Sequence, residues 1–301
     1  MEETKKTSVT LAQIELNGGG MSYAIYLKNG KFILIDGGQK FEVDGERLFN
    51  YMMAKTRGEK PVVLAWLFTH GHCDHICLAT DFIKNYKEKI VVENIIYNVP
   101  KGNEYNGYDS SFNDIKFEEE FFCLLEERKD INSVEVKTRD VFNFEGVEIV
   151  ALSTAFDRYP DSPGDRNQTS AVFKLVFDNG VSFMVLGDAM GSRLVEMLNP
   201  NASIYCNDKE LKSDIMQVAH HGLCIGGEEQ YGALTTLYKK IAPKICFWPI
   251  GATRFYNDPW CQAEKHTYHR FLFDSVKDKN LHQSQTIEID IETLAIKLVK
   301  C

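Results

Sequence analysis

Within the seven residues Thr69-His70-Gly71-His72-Cys73-Asp74-His75 stand three imidazoles and a carboxylate. Groups of this kind are costly to gather unless a positive charge sits among them. Histidine nitrogen suits zinc and other borderline divalent ions, and aspartate adds a hard oxygen donor. His70 and His72 are two apart, so in an extended segment they fall on one side and can share an ion. Asp74 and His75 follow where the chain turns, placed to serve a second ion beside the first. The apolar run 62–68 just before them reads as a fully buried strand, which gives the cluster a fixed root. A chance gathering of histidines on a polar loop is the alternative, and the buried strand argues against it.

One loop cannot complete two ion sites, so other ligands must come from elsewhere in the chain. There are eight histidines, and after His75 the next is His220. In the gap, Asp188 in Leu186-Gly187-Asp188-Ala189 ends an apolar strand, where a carboxylate can bridge two ions with its two oxygens. His220-His221-Gly222 repeats the design of an apolar strand ending in ligands; His220, the first residue past the strand, is favoured, and His221 is left open. Asp36, in Leu34-Ile35-Asp36-Gly37-Gly38, either holds a ligand histidine from behind or caps its own turn, with nearly equal weight.

The elements that must position these groups follow from periodicity and turn signals. Strands are predicted over 8–16, 21–28 and 31–35, the last two joined at Asn29-Gly30, a strong hairpin signal. Helices are predicted over 41–56, 76–86 and 115–128, a strand over 90–99, and a long polar loop over 101–113. In the second half, strands over 147–152, 171–177, 181–186, 214–219 and 244–248 alternate with helices over 192–198, 228–239 and 262–273. A strand pair within 286–299 closes the chain. Strands interleaved with helices in both halves predict two packed sheets covered outside by helices. No linker separates the halves, so 1–301 reads as a single domain.

Composition excludes several classes. The formal net charge is −9 and no basic stripe is visible, which weighs against a broad nucleic-acid-binding surface. No apolar run approaches the ~20 residues of a membrane helix, and no apolar segment follows the charged N-terminus as a secretory signal requires. The eight cysteines are scattered without a CxxC pair, and several sit inside apolar runs as small buried hydrophobes. A reducing, cytoplasmic setting is expected.

Taken in order, the aspartate of 36, the His-x-His-x-Asp-His of 70–75, the Leu-Gly-Asp of 186–188 and the His-His-Gly of 220–222 resemble the metallo-β-lactamase superfamily over nearly the whole chain. Asn167 ahead of Ser170-Ala171-Val172-Phe173, together with the double histidine, resembles the soluble hydrolase domain of DNA-internalisation competence proteins, and is similar to related phosphocholine esterases. The resemblance implies an α+β fold, a four-layer αββα sandwich with two divalent metal ions (zinc, with manganese or iron as other candidates) at one edge between the sheets. It implies His70, His72 and Asp188 around the first ion, and Asp74, His75, Asp188 and His220 around the second. Members usually carry one further histidine between the loop motif and the bridging aspartate. Here Asn167 lies about there; a neutral amide is a poor zinc ligand, which leaves the first position the weaker.

The chemistry such ions supply is a hydroxide at neutral pH, because bound water has its pKa pulled from ~15.7 toward ~7, and stabilisation of attacking and leaving oxygens together by ions ~3.5–4 Å apart. Asp74 and His220 are the expected catalytic residues, Asp74 orienting the nucleophile. The reaction expected is hydrolysis of a small or short phosphodiester substrate. The rivals are hydrolysis of an acyl bond (lactone, thioester or lactam) and a metal-binding regulatory module without turnover. Arg158, Arg166 and Arg254 are candidates to fork onto a substrate anion, with surface ion pairing as their ordinary alternative. His266 and His269 read as a solvated or half-buried helix face, His282 as surface and Cys73 as a spectator. The aromatic loop 255–260 walls a pocket or covers a sheet edge.

Overall fold

The structure is a computed structural model and describes residues 8–101, 114–154, 166–190, 192–223, 228–251 and 267–300. The first half supplies β1 (Thr10–Gln13), β2 (Tyr23–Tyr26), β3 (Phe32–Ile35), α1 (Glu42–Lys55), β4 (Val62–Phe68), α2 (Cys73–Asn85), β5 (Val91–Val92), β6 (Asn94–Tyr97), α3 (Ile115–Glu127) and β7 (Asn132–Glu135). The second supplies β8 (Val141–Phe144), β9 (Val147–Ser153), β10 (Val172–Phe177), β11 (Ser182–Val185), α4 (Ser192–Leu198), α5 (Asp208–Leu211), β12 (Ile215–Gln217), α6 (Glu228–Ile241), β13 (Ile245–Trp248), α7 (Thr267–Val276), β14 (Asn280–His282), β15 (Thr286–Asp290) and β16 (Ile296–Val299).

One sheet runs β16-β15-β1-β2-β3-β4-β6-β7, with β5 also on β4, and the other runs β14-β13-β12-β11-β10-β9-β8. Between them lies a core to which the first sheet gives Tyr23, Ile25, Ile33 and Leu67 and the second gives Phe173, Phe183, Ile215 and Phe247. The outer face of the first sheet, with Trp66 and Phe68, is covered by Leu48, Met52, Phe82 and Phe121 of α1 to α3. The outer face of the second, with Met184, Met216 and Trp248, is covered by Leu194, Leu237 and Leu272 of α4, α6 and α7. β4 therefore buries both faces, which is why it reads as an unbroken apolar run rather than an alternation. Each large side chain buried in this way contributes about 1.5–3 kcal/mol. The result is the expected four-layer αββα sandwich. No helix among the described residues is long and apolar enough to cross a membrane.

Several local expectations change. α2 begins at Cys73, three residues before the predicted 76, so Asp74 and His75 ride on its first turn rather than on a loop. The predicted strand 90–99 divides into β5 and β6 around Glu93, whose N–H donates to the Val63 carbonyl. β7, β8, β14 and α5 are additional; β7 is almost wholly exposed, so it carries no apolar alternation to read. His269 is fully buried against the ring of Trp248, 5.2 Å away, not on a solvated face, and His266 lies outside the described residues.

His282, expected at the surface, sits half-buried on β14 at the sheet edge, and burial holds its pKa down to about 4. In the unfolded chain a histidine titrates near ~6.5. Above that pH both states leave His282 neutral; as pH falls through the window toward about 4 the unfolded chain alone takes the proton, so the folded state loses stability. His282→Gln is expected to flatten the fall of melting temperature across that window relative to wild type, checked by thermal melts at half-unit pH steps. Curves that stay parallel would exclude this source of acid sensitivity.

Candidate metal centre

The strands nearest the site run parallel, β3 with β4 and β11 with β12 and β13, so their carboxyl ends emerge along one edge of the sandwich. β3 runs into Asp36, β4 into Thr69 and His70, β11 into Gly187 and Asp188, β12 into His220 and His221, and β13 into Pro249. Sharp turns aim these tips: Asp36, His220 and His221 have φ of 49°, 47° and 55°, in the left-handed region that non-glycine residues rarely enter. Strain of this kind persists where surrounding bonds over-determine the backbone. Buried Gln217 does so at the second sheet: its Oε1 accepts the Leu186 N–H at 2.7 Å, and its Nε2 donates to the carbonyls of Gly187 and Val218 at 2.9 and 2.6 Å. The two sheets are tied at the Thr69 carbonyl, which accepts from the Ala171 N–H and from Asn98 Nδ2, both at 2.9 Å.

Hydrogen bonds behind the histidines assign which ring nitrogen faces inward. Thr69 Oγ1 has one proton and gives it to Asp36 Oδ2 at 2.7 Å, so at 3.1 Å from His70 Nδ1 it accepts. His75 Nδ1 donates to the same Asp36 oxygen at 2.7 Å, and His221 Nδ1 donates to the Pro249 carbonyl at 2.8 Å. His70, His75 and His221 thus turn Nε2 inward. Those atoms converge on Asp188 Oδ2, at 3.9, 3.3 and 3.3 Å, with His220 Nε2 also at 3.9 Å. His221 Nε2 lies 3.2 Å from Asp74 Oδ2, and His70 Nε2 lies 3.1 Å from His72 Nδ1.

Imidazole nitrogens and carboxylate oxygens this close are unfavourable unless positive charge, a proton or a metal ion, stands between them. Among the described residues, His75 Nε2, His221 Nε2 and Asp188 Oδ1 are buried with no well-aligned hydrogen bond, which suits atoms that face a bound cation. The electrostatics agree. Burial opposes charge on His75 and His221, yet Asp188 and Asp74 overcome it and lift His221 to about 10 and His75 well above its ordinary value. Burial likewise raises Asp188, but His221, His75 and His220 drive it far below the usual carboxylate range. The pocket is built for positive charge. Two groups of three residues can each hold a divalent ion, His70 with His72 and Asp188, and Asp74 with His75 and His221, each set's ligand atoms lying within 4.8 Å of one another.

Among the sequence-derived candidates, the structure brings together His70, His72, Asp74, His75, Asp188, His220 and His221. His221 rather than the favoured His220 joins the second set, because the left-handed turn after β12 swings the second ring toward Asp74. Asp36 is fully buried and gripped by Thr69 N–H at 2.8 Å while holding His75, so it does not cap its own turn. Arg166 is not positioned as a substrate clamp: it is buried, with Nε donating to Glu118 Oε1 at 2.5 Å and Nη2 to Oε2 at 3.1 Å. Asn167 is buried in the single turn Arg166–Thr169, whose next residue, Ser170, accepts the Asp188 N–H on its hydroxyl at 3.0 Å. Burial pushes the Cys73 thiol up to about 12, leaving it protonated and inert. Arg158, Arg254 and the aromatic loop 255–260 lie outside the described residues.

Sequence reasoning missed Asp114, Glu118, Asn98 and Gln217. Gln217 carried a readable signal, an amide inside the apolar run Ile215–Val218 just ahead of the histidines. Asp114 and Glu118, four apart at a helix start, carried a weaker one.

Residues 17–160 match the metallo-beta-lactamase superfamily. No curated protein matches the chain in sequence. Among solved structures, the chain is similar to the metallo-beta-lactamase fold protein YhfI from Bacillus subtilis, at 12% identity and a TM-score of 0.51, covering 92% of this chain and 96% of that one. It is also similar to CmlA, a diiron beta-hydroxylase from Streptomyces venezuelae, at 13% identity and a TM-score of 0.53, covering 96% of this chain and 55% of that one. At these identities the likeness shows the fold.

Proposed function

With residues 17–160 matching the metallo-beta-lactamase superfamily and the described chain carrying its fold, we propose that this protein is a metal-dependent hydrolase of phosphodiester bonds with a dinuclear site. The observation that carries the reading is Asp188, whose Oδ2 lies 3.3 Å from His75 Nε2 and from His221 Nε2 while the same residue groups with His70 and His72 as a candidate ligand set. His70, His72 and Asp188 would hold one ion, and Asp74, His75 and His221, with Asp188 shared, the other. Divalent ions there supply Lewis acidity and water acidified toward pKa ~7. Zinc, manganese and iron all suit a donor set of imidazole and carboxylate.

The chain's own residues do the rest. Asp36, Thr69 and the Pro249 carbonyl orient the rings, so His70, His75 and His221 would turn Nε2 to an ion without reorganising. Asp74 is the most exposed of the acidic ligands, with 26% of its side chain accessible, and its carboxylate is ionised under the charges of His75 and His221 although burial opposes this. It can accept a hydrogen bond from an incoming water and aim it. Two adjoining ligand sets suit phosphodiester hydrolysis because charge then develops on the attacking and the leaving oxygen together.

The test is turnover of bis-para-nitrophenyl phosphate by the Mn²⁺- or Zn²⁺-loaded protein, beside lactone, thioester and lactam substrates, with Asp74→Ala as control. Phosphodiester turnover well above control supports the reading. Faster acyl turnover replaces the substrate class, and no turnover of any substrate favours a regulatory module. In the same preparations, His221→Ala is expected to weaken the second ion by at least about 10-fold, more than His220→Ala does, by titration with Zn²⁺ followed calorimetrically. The opposite ranking would restore His220 as the ligand.

A further inference from the structure

His72 is held differently from its three neighbours. Its Nδ1 is the nitrogen turned inward, 3.1 Å from His70 Nε2, and its Nε2 faces away from the pocket. Facing that Nε2 at 3.8 Å is Oδ2 of Asp114, 2% exposed. The other oxygen of Asp114 accepts the N–H of Cys73 at 3.1 Å, so one carboxylate touches the backbone directly after His72 and faces its ring as well.

Asp114 stands at the N-cap of α3, where an aspartate ordinarily turns its carboxylate onto the first-turn N–H groups. Its side chain makes no such bond and is spent on the histidine loop. One helical turn later, Glu118 lies over Gly71, close enough that a Cβ there would come within 2.6 Å of Oε1, and Arg166 anchors Glu118 from the far side. α3 thus braces the loop on both sides of His72.

We propose that Asp114 is the positioning residue of His72: its carboxylate faces Nε2, keeps the ring's proton on that outer nitrogen so that Nδ1 is presented inward, and so sets the affinity of the first metal position without touching the second. This rests on the metal-centre reading and concerns the first position alone. The physical reason is that a ligand imidazole must carry its remaining proton on the outer nitrogen, and a carboxylate there both orients the ring and makes it a better donor.

The experiment titrates metal-free wild type, Asp114→Asn, Asp114→Ala and His72→Ala with Zn²⁺ calorimetrically, counts bound ions by elemental analysis, and follows Co²⁺ absorption as a signature of each position. Thermal melts of the metal-free proteins report folding. Asp114→Ala is expected to weaken one of two ions by about 10- to 100-fold, the same ion that His72→Ala removes, and to leave the other unchanged. Asp114→Asn, whose amide oxygen still accepts one hydrogen bond, is expected to recover part of the loss. Unchanged affinities in Asp114→Ala, or equal loss of both ions, overturn the inference while leaving the metal centre standing. A wild-type chain that binds no ion overturns the metal-centre reading and this inference with it.

Discussion

Asp188→Asn is expected to strip both ions from the protein and to lower kcat/KM on the order of a thousandfold or more, equivalent to about 4 kcal/mol of transition-state stabilisation. The substitution keeps the shape of the side chain and removes its charge. Four imidazole nitrogens lie within 3.9 Å of Asp188 Oδ2, so both ligand sets lose their shared anion at once. The fold is expected to survive, because the backbone here is held by other means: the Ser170 hydroxyl takes the Asp188 N–H, and Gln217 clamps Leu186 and Gly187. Elemental analysis after reconstitution and far-UV circular dichroism check both halves. Retention of two ions per chain by a folded Asp188→Asn variant would show that each set is complete without the bridge.

Gly20→Ala is expected to cost about 3 kcal/mol or more, a fall in melting temperature of roughly 6 °C or more for a chain of this size. Gly20 has φ +98°, and a Cβ there would come within 2.0 Å of the Asp74 carbonyl oxygen and 2.9 Å of the Gly38 Cα. These are backbone atoms that cannot swing aside, and the same carbonyl accepts the Met21 N–H at 3.1 Å. Relief of the clash must push the first turn of α2 outward and carry Asp74 and His75 with it, so Zn²⁺ affinity at the second position should fall in parallel. Gly19→Ala separates the causes. Gly19 also has positive φ, at +80°, but among the described residues nothing lies within 4 Å of its added methyl. It should show only the backbone penalty of about 1–2 kcal/mol and little change in metal binding. Equal effects of the two substitutions would remove the steric account. Differential scanning calorimetry of both metal-free variants, followed by Zn²⁺ titration, makes the comparison.

The chain alone determined the candidate ligand types and the strands that carry them. His70, His72, Asp74 and His75 are legible together because they occupy one short stretch rooted in the apolar run of β4, and Asp188 and the double histidine are legible because each follows an apolar strand. The layered architecture was legible for the same reason, since strands buried on both faces and helices with one apolar face leave few ways to pack. Tertiary structure alone decided which ring nitrogen faces inward, that His221 and not His220 approaches Asp74, that Arg166 is spent on Glu118, and that Asp114 stands behind His72. Each of these depends on a left-handed turn or on a contact between residues far apart in sequence. Periodicity records which face of an element is buried, but it carries no information about where a side chain at the end of that element is aimed.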